Sequence, residues 1–358
     1  MTKVLHVITG LGMGGAERNL VQVACALQQR GMDQHVACVR SSGVWADALI
    51  GQGIPVTELE VDGMPAAPRG LYRLVSLMRT LRPTNIQGWM YHGDLFAALA
   101  HRLLPGKRRL LWNLRASNTD QGGYSQILRL NGALSRWPDV VIANSKSGLD
   151  FHAAKGYRAR RTEIIPNGID IEKNRPDAEA RALVRKDLGL PADGPVVIHV
   201  ARVDPMKDHG NFLKAMAAVP QLSGIMIGAG TENLTCPPNV RALGVRRDVE
   251  RYYAASDIVI STSAYAEGFS NVIAEGMSAG LYPIATDIGD ARAIVGNIGS
   301  VVQPRDFSAI VAELTRAAAM TAEERSERGL LARKHIVDRF TLAAATDRYQ
   351  KIYAEFEG

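Results

Sequence analysis

The chain has 358 residues, of which 46% are hydrophobic; this is enough to bury a sizeable core, and the length predicts two domains. No stretch approaches 18 consecutive apolar residues, so no transmembrane helix is expected. The three cysteines Cys25, Cys38 and Cys236 show neither paired spacing nor a histidine cluster, which favours free thiols in a reducing compartment. We therefore expect a cytoplasmic location, either free or peripheral at the inner face of the membrane.

Positive charge is concentrated in the first half of the chain. Residues 1–170 contain 20 Lys and Arg against 12 Asp and Glu, a net charge of +8, whereas residues 171–358 hold 22 against 24, a net charge of −2. The basic half predicts contact with an anionic membrane or a phosphorylated acceptor, and a solvated surface without a partner is the alternative. Nucleic acid is not expected as a partner, because no recognised binding motif or aromatic platform accompanies the charge.

The first predicted elements are a strand at 4–9, the loop GLGMGG and a helix at 16–29. The loop ends in Gly14 and Gly15, whose amides would approach a phosphate or the acceptor; a tight strand-to-helix turn is the alternative. The spacing does not match the dinucleotide fingerprint, and the next acids, at 58–62, lie farther on than the usual ribose-binding acid. An NAD-dependent oxidoreductase is therefore disfavoured.

A histidine follows a later strand. Strands are expected at 35–39 and 54–59, a helix at 71–81, a strand at 86–89 and a helix at 95–104. Between the last two lies MYHGD, so His92 is expected at the carboxyl end of a strand, where the ligands of parallel sheets bind. From the residues alone, His92 is either a functional group or a structural histidine.

The first half closes with two strands and a turn. The strands are expected at 110–113 and 140–143, and the first runs into Arg115. Arg115 would pair with an anionic group of an acceptor or with a carboxylate between domains. The turn Pro-Asn-Gly precedes Asp170, just after which we place the domain boundary.

The second half begins with a buried strand at 196–200 and the segment ARVDPMKD. Arg202 and Lys207 both follow the end of this strand, either as a pair of surface cations or as a phosphate clamp. Further strands are expected at 225–227 and 240–243, and Val245 follows the second of these.

A loop and helix at 265–280 carry the most informative pattern, because Glu267 and Glu275 lie eight positions apart on either side of a predicted helix start. A strand expected at 257–263 precedes them. An anion is stabilised at the amides of a helix N-terminus, and the two carboxylates would hydrogen-bond hydroxyl groups. This pattern favours a phosphate flanked by polyols, as in a nucleotide sugar; two glutamates on a solvated face are the alternative.

The remaining elements are a strand at 282–286 and helices at 307–320, 322–337 and 342–356. The last helix has aromatic and aliphatic side chains at helical spacing, which indicates packing rather than a cofactor site.

The segment E-G-F-S-N-V-x-x-E resembles the E-x7-E signature of the family 4 retaining glycosyltransferases, which have the GT-B fold. The resemblance extends over nearly the whole chain. It implies an α/β fold of two Rossmann-like, doubly wound parallel-sheet domains that face an interdomain cleft. The acceptor-binding domain would be 1–170, with a C-terminal helix at about 342–358 crossing back onto it, and the donor-binding domain would be 171–341.

The resemblance also implies roles for individual residues. The catalytic group would comprise His92, Glu267, Arg202 and Lys207, and the acceptor would be bound by Gly14, His92 and Arg115. Glu267 would contact the donor sugar and Glu275 the ribose. The complete donor-binding set would be Gly14, Gly15, Arg202, Lys207, Val245, Glu267, Gly268, Phe269, Ser270, Asn271, Val272 and Glu275.

The expected reaction is transfer of a sugar, with retention, from a nucleotide-diphosphate sugar to a glycan or lipid-linked acceptor in cell-surface polysaccharide synthesis. A UDP-sugar is favoured as donor and a GDP-sugar is the alternative. No Asp-x-Asp occurs in the sequence, so no metal and no cofactor are expected. The competing hypotheses are a GT-B sugar-nucleotide epimerase or hydrolase, an NAD-dependent oxidoreductase and a non-catalytic sugar-nucleotide-binding protein.

Overall fold

The computed structural model describes residues 2–115 and 121–355, except for the side chains of residues 121–124. The chain divides into two compact units, Met1–Gly168 together with Leu342–Gly358, and Ile169–Thr341. This division falls two residues before the boundary that the sequence suggested after Asp170. The first unit is therefore assembled from two separate stretches of the chain.

The first unit contains a parallel sheet whose strands, within the described residues, lie in the order β3-β2-β1-β4-β5-β6-β7. The strands are β1 (Lys3–Ile8), β2 (Asp33–Cys38), β3 (Val56–Glu58), β4 (Asn85–Trp89), β5 (Arg109–Leu114), β6 (Val140–Ala143) and β7 (Thr162–Ile164). The helices between them are α1 (Gly15–Gln29), α2 (Ala46–Gly51), α3 (Ala67–Leu81), α4 (Met90–Leu103), α5 (Gln121–Leu134) and α6 (Lys146–Ala154).

The second unit repeats this plan with a parallel sheet in the order β10-β9-β8-β11-β12-β13 across the residues that the structure describes. The strands are β8 (Val196–Val200), β9 (Ser223–Ile227), β10 (Val240–Ala242), β11 (Ile258–Ser261), β12 (Tyr282–Thr286) and β13 (Ser300–Val302). The helices are α7 (Ala178–Asp187), α8 (His209–Ala218), α9 (Val249–Ala254), α10 (Asn271–Ser278), α11 (Ala291–Val295), α12 (Phe307–Ala319) and α13 (Ala322–Arg339).

Both sheets are buried on two faces. Each is covered by two apolar clusters, one on each side, and this explains why strands such as β8 are nearly continuous runs of branched apolar residues. In each sheet the winding direction reverses beside the first strand, between β1 and β4 and between β8 and β11. Ligands of such sheets bind at this switch point, beyond the carboxyl ends of the strands. The predicted class, α/β with two doubly wound parallel sheets, is confirmed.

The start of α4 differs from the sequence prediction. The helix was expected from residue 95 but begins at Met90, directly after β4, so that His92 lies in its first turn. Met90 has a φ of 62°, a left-handed conformation that turns the chain from strand to helix without a loop. Sequence periodicity does not reveal such a turn, because a non-glycine residue rarely adopts it.

The last helix, α14 (Leu342–Ala354), packs on the first unit. Its buried side chains Tyr349, Ile352 and Tyr353 belong to the same apolar cluster as α1 and β1. The Tyr349 hydroxyl accepts a hydrogen bond of 2.9 Å from Asn113 Nδ2. Residues 356–358 of the predicted C-terminal segment, including Phe356, lie outside the described residues. Among the described residues, none of the helices is both long and apolar enough to cross a membrane.

We expect Tyr349→Ala to lower the free energy of unfolding by about 3–5 kcal/mol, because it removes a fully buried aromatic ring and leaves a cavity. Lys351→Ala, on the exposed side of the same helix, should change it by less than about 1 kcal/mol. Urea denaturation measures both values. Equal effects would contradict the packing of α14 on the first unit.

Candidate active site

Lys207 and Glu267 meet at the switch point of the second sheet. Lys207 ends a short 3-10 helix, Pro205–Lys207, in the segment after β8, and Glu267 lies in the loop after β11. Since β8 and β11 are neighbours in the sheet, both segments leave it at the same edge. A backbone hydrogen bond of 2.7 Å from Ala264 N to Met206 O joins them.

The two side chains form an ion pair in which Lys207 Nζ donates to Glu267 Oε1. Their side chains are 20% and 14% exposed, so the charges are mostly shielded but remain within reach of a ligand. Ser263 Oγ donates to the same carboxylate oxygen at 2.7 Å. The ammonium is therefore held at the edge of the sheet by a carboxylate whose own position is fixed.

Arg202 is the more exposed cation of the predicted clamp, with a side-chain exposure of 62%. Its Nη2 donates to Asp204 Oδ2 at 2.8 Å. Burial raises the pKa of Asp204, but hydrogen bonds from Met206 N and from Arg202 outweigh it, and the net pKa lies below the ordinary value. Asp204 therefore stays charged near pH 7. Its carboxylate holds the Arg202 guanidinium against the segment that also carries Lys207.

The start of α10 lies directly after this loop. Ser270 occupies the N-cap without a side-chain hydrogen bond to the helix, and Asn271 and Val272 are its first residues. Amides at the first turn of a helix are suited to bind an anion. Glu275 is buried one turn into the helix and accepts a hydrogen bond of 3.2 Å from the Tyr253 hydroxyl.

Gly268 and Phe269 connect Glu267 to this helix. Gly268 O accepts a hydrogen bond of 2.9 Å from Asp290 N. The Phe269 side chain is buried in the core, with its ring 5.4 Å from the ring of Phe340. Only the backbone of Phe269 is therefore in a position to serve a ligand at the surface.

The backbone is strained beside three of the predicted site residues. Ala266, Asp208 and Met90 have φ angles of 66°, 50° and 62°. Such conformations cost of order 1–3 kcal/mol each. They lie one residue before Glu267, one after Lys207 and two before His92.

Val245 lies in the loop after β10, at the same carboxyl edge of the second sheet, and its side chain is exposed. The preceding Gly244 is fixed by two hydrogen bonds. Its N donates to Thr231 Oγ1 at 3.0 Å, and its O accepts from Gly228 N at 2.9 Å.

In the first unit, Gly14 and Gly15 lie at the start of α1, and His92 lies at the start of α4. These helices follow β1 and β4, the strands on either side of the first switch point. Burial, and to a smaller extent the charge of Arg40, lowers the pKa of His92 below its ordinary value of 6.5. The imidazole is therefore neutral at pH 7, and its functional role stays a prediction.

Arg115 is buried and bonded to the protein. Its Nε donates to Asn113 Oδ1 at 2.8 Å and its Nη1 to Asn167 Oδ1 at 2.7 Å, while its guanidinium lies 5.4 Å from the Trp89 ring centre. Burial lowers its pKa to about 9, so it remains charged at pH 7. These contacts give Arg115 a structural role, and acceptor binding by this residue stays a prediction.

The polar residues that support the site were not predicted from the sequence. Thr262 and Ser263 follow β11, and Tyr253 contacts Glu275. The run Ser-Thr-Ser at the end of a buried strand was the available signal, since buried hydroxyl groups need partners. No cluster of three or more His, Cys, Asp or Glu side chains suited to a metal occurs in the part of the chain that the structure describes.

Two family models match the chain. Residues 13–173 match "Glycosyltransferase Family 4", and residues 194–319 match "Glycosyl transferases group 1". The lipopolysaccharide core biosynthesis glycosyltransferase LpsE of Rhizobium meliloti is 26% identical over 98% of this chain and 99% of that relative. D-inositol 3-phosphate glycosyltransferase of Xylanimonas cellulosilytica is 26% identical over 44% of this chain. The matched region spans 42% of the length of that relative.

Solved structures have the same fold. The structure of Anabaena Alr3699/HepE in complex with UDP has a TM-score of 0.83 and 24% identity, covering 99% of this chain and 100% of that one. Its complex with UDP-glucose has a TM-score of 0.85 and 23% identity over the same share of each chain. The fold is therefore that of the GT-B glycosyltransferases. The chain belongs to the glycosyltransferases, with a family 4 domain in the first unit and a group 1 domain in the second.

We expect Gly276→Ala in α10 to lower the free energy of unfolding by about 1–3 kcal/mol. A Cβ at this position would lie 2.6–2.7 Å from the side-chain atoms of Val259 in β11, so that the helix carrying Glu275 would have to move. Gly210→Ala in α8 is the control, because a Cβ there meets nothing within 4 Å. Urea denaturation compares them; a control as destabilised as Gly276→Ala would contradict the close packing of α10.

Proposed function

We propose that this glycosyltransferase transfers a sugar, with retention of anomeric configuration and without a metal, from a UDP-sugar to a hydroxyl of a glycan or lipid-linked acceptor in cell-surface polysaccharide synthesis. One observation carries the proposal. The Lys207–Glu267 ion pair lies at the switch point of the second sheet, and Glu267 is in the loop that leads into the N-terminus of α10.

The charges of this region suit the departure of a nucleoside diphosphate. Breaking the bond between the anomeric carbon and the phosphate leaves positive charge on the sugar and negative charge on the diphosphate. Lys207, Arg202 and the first amides of α10 supply positive potential for the diphosphate. Removing one such preorganised donor typically costs about 3–4 kcal/mol of transition-state stabilisation.

The two glutamates would bind the neutral parts of the donor. Glu267 would accept hydrogen bonds from sugar hydroxyls, and Glu275 from the ribose hydroxyls. Glu275 is suited to this because the Tyr253 hydroxyl donates to its Oε2 and fixes the orientation of the carboxylate. Backbone groups of 268–271 would contact the phosphate or the sugar, and Val245 would contact the base.

The choice of a UDP-linked donor is supported by the HepE structures, which hold UDP and UDP-glucose on the same fold. A GDP-sugar is the alternative that experiment has to exclude.

For retention, the acceptor hydroxyl would attack from the face that the diphosphate leaves, and the departing phosphate would take its proton. His92 and Gly14 would border the acceptor. A neutral His92 imidazole would hydrogen-bond the acceptor hydroxyls without repelling the positive charge that develops on the sugar.

A membrane-bound or lipid-linked acceptor is supported by the relative LpsE and by the surface of α3. Arg69, Tyr72 and Arg79 are exposed along one stripe of this helix, and Met64 precedes it; Met64 and Tyr72 are 86% and 68% exposed. Basic and apolar side chains on one helix face are typical of contact with an anionic membrane surface.

We expect UDP to bind in the presence of EDTA, and Lys207→Ala and Glu275→Ala each to weaken its affinity by 10-fold to 100-fold, about 1.5–3 kcal/mol for a hydrogen bond to a charged group. The matched controls are Lys214→Ala and Glu327→Ala, which replace exposed residues of the same unit. Titration calorimetry with UDP and GDP measures all five proteins. Tighter binding of GDP would reassign the base, and binding that requires Mg²⁺ would exclude the metal-independent mechanism.

We expect Arg69→Gln combined with Arg79→Gln to reduce partitioning to phosphatidylglycerol vesicles by about 30-fold, since each arginine near the surface contributes about 1 kcal/mol. Arg241→Gln combined with Arg247→Gln removes the same charge from exposed positions of the second unit and should have little effect. Co-sedimentation measures the bound fraction. Equal losses in both pairs would mean that net charge, and not the α3 surface, drives binding.

A further inference from the structure

Two hydroxyl side chains at the end of β11 contact the two partners of the Lys207–Glu267 ion pair. Thr262 and Ser263 follow Ser261, the last residue of the strand, and both are buried. Buried hydroxyl groups almost always have hydrogen-bond partners, so the atoms that these two engage indicate what they hold in place.

Thr262 holds the backbone at Lys207. Its Oγ1 lies 2.9 Å from Lys207 O and 3.3 Å from Asp208 O. A hydroxyl has one proton, and the shorter distance makes the Lys207 carbonyl the main acceptor. The segment after β8 is thereby tied to the end of the neighbouring strand, at the point where Asp208 takes its left-handed conformation.

His199, on β8, completes this arrangement. Its Nε2 lies 3.2 Å from Thr262 Oγ1. Because the threonine proton goes to the Lys207 carbonyl, His199 donates from Nε2, and its Nδ1 carries no proton. Burial together with the charges of His209 and Lys207 lowers the pKa of His199 well below 6.5, so the ring is neutral and carries one proton. Its Nδ1 has no hydrogen-bond partner in the described part of the chain.

Ser263 fixes Glu267, the other partner of the ion pair. Its Oγ donates to Glu267 Oε1 at 2.7 Å, the same oxygen that Lys207 contacts. The Ser263 carbonyl in turn accepts a hydrogen bond of 2.6 Å from Thr286 Oγ1, at the end of β12. The carboxylate is therefore fixed through Ser263 to two adjacent strands.

We propose that Thr262 and Ser263 are positioning residues for the transfer reaction. Being consecutive, they hold the Lys207 backbone and the Glu267 carboxylate at a fixed separation, with the ammonium facing the departing diphosphate. Catalytic groups need this support, because a displacement of about 1 Å reduces rates by about 100-fold. The inference rests on the proposed function, since it assigns the ion pair to the donor site.

The first test compares UDP affinity with thermal stability. We expect Thr262→Val and Ser263→Ala to weaken UDP binding by about 10-fold in calorimetry, and Thr262→Ser to remain within twofold of the wild type. Thr346→Val and Ser278→Ala are matched controls, because they remove buried hydroxyls bonded to single carbonyls elsewhere. They should lower the melting temperature without changing affinity.

The outcomes separate this inference from the proposed function. If the wild type binds neither UDP nor GDP, the donor assignment fails and this inference fails with it. If the wild type binds UDP and the two variants bind equally well, or if affinity follows melting temperature through all five variants, only the positioning roles are overturned. Should Thr262→Val not fold, the comparison of UDP affinity between Ser263→Ala and its control Ser278→Ala decides the question.

A spectroscopic test addresses the chain of hydrogen bonds itself. We expect ¹⁵N NMR of the His199 ring to detect the neutral tautomer protonated at Nε2, and Thr262→Val to shift the Nε2 resonance while Thr262→Ser preserves it. A ring protonated at Nδ1 in the wild type would contradict the proposed direction of donation from His199 to Thr262.

Discussion

The candidate site of the second unit depends on one ion pair between two loops of adjacent parallel strands. Lys207 follows β8 and Glu267 follows β11, and the contact between them forms because the sheet changes its winding direction between these strands. Neither charge is fully exposed; Ser263 donates a hydrogen bond to the Glu267 carboxylate, and Thr262 donates one to the backbone carbonyl of Lys207. In the proposed reaction, a cation held in this way would meet the developing negative charge without having to reorganise, and such preorganisation is the main source of electrostatic catalysis.

The cost of this arrangement is visible in the backbone. Left-handed residues adjoin both partners, at Asp208 and Ala266, and another lies at Met90, where β4 turns into α4. Such strain persists only where the surrounding structure over-determines it. Here the rigid sheet supplies that support, since the strained loops are tied by backbone and hydroxyl hydrogen bonds to strands that are buried on both faces.

Sequence patterns predicted most strands of the two sheets, because buried parallel strands are continuous apolar runs. The strand order and the three-residue strands β7 and β13 were not predicted. Sequence patterns also predicted that Arg202, Lys207 and Glu267 leave the carboxyl ends of strands. They did not predict that Arg115 is bonded to Asn113 and Asn167, or that α4 begins at Met90, because both depend on tertiary contacts or on a rare φ angle. The support from Thr262 and Ser263 was missed since hydroxyl groups carry no periodic signal.

A crystal structure of the protein soaked with UDP in the absence of metal is the most direct test of the central claim. We expect the diphosphate within hydrogen-bond distance of Lys207 Nζ and the first amides of α10, with the ribose hydroxyls on Glu275. UDP bound at the glycine loop before α1, with the Lys207–Glu267 pair untouched, would contradict it.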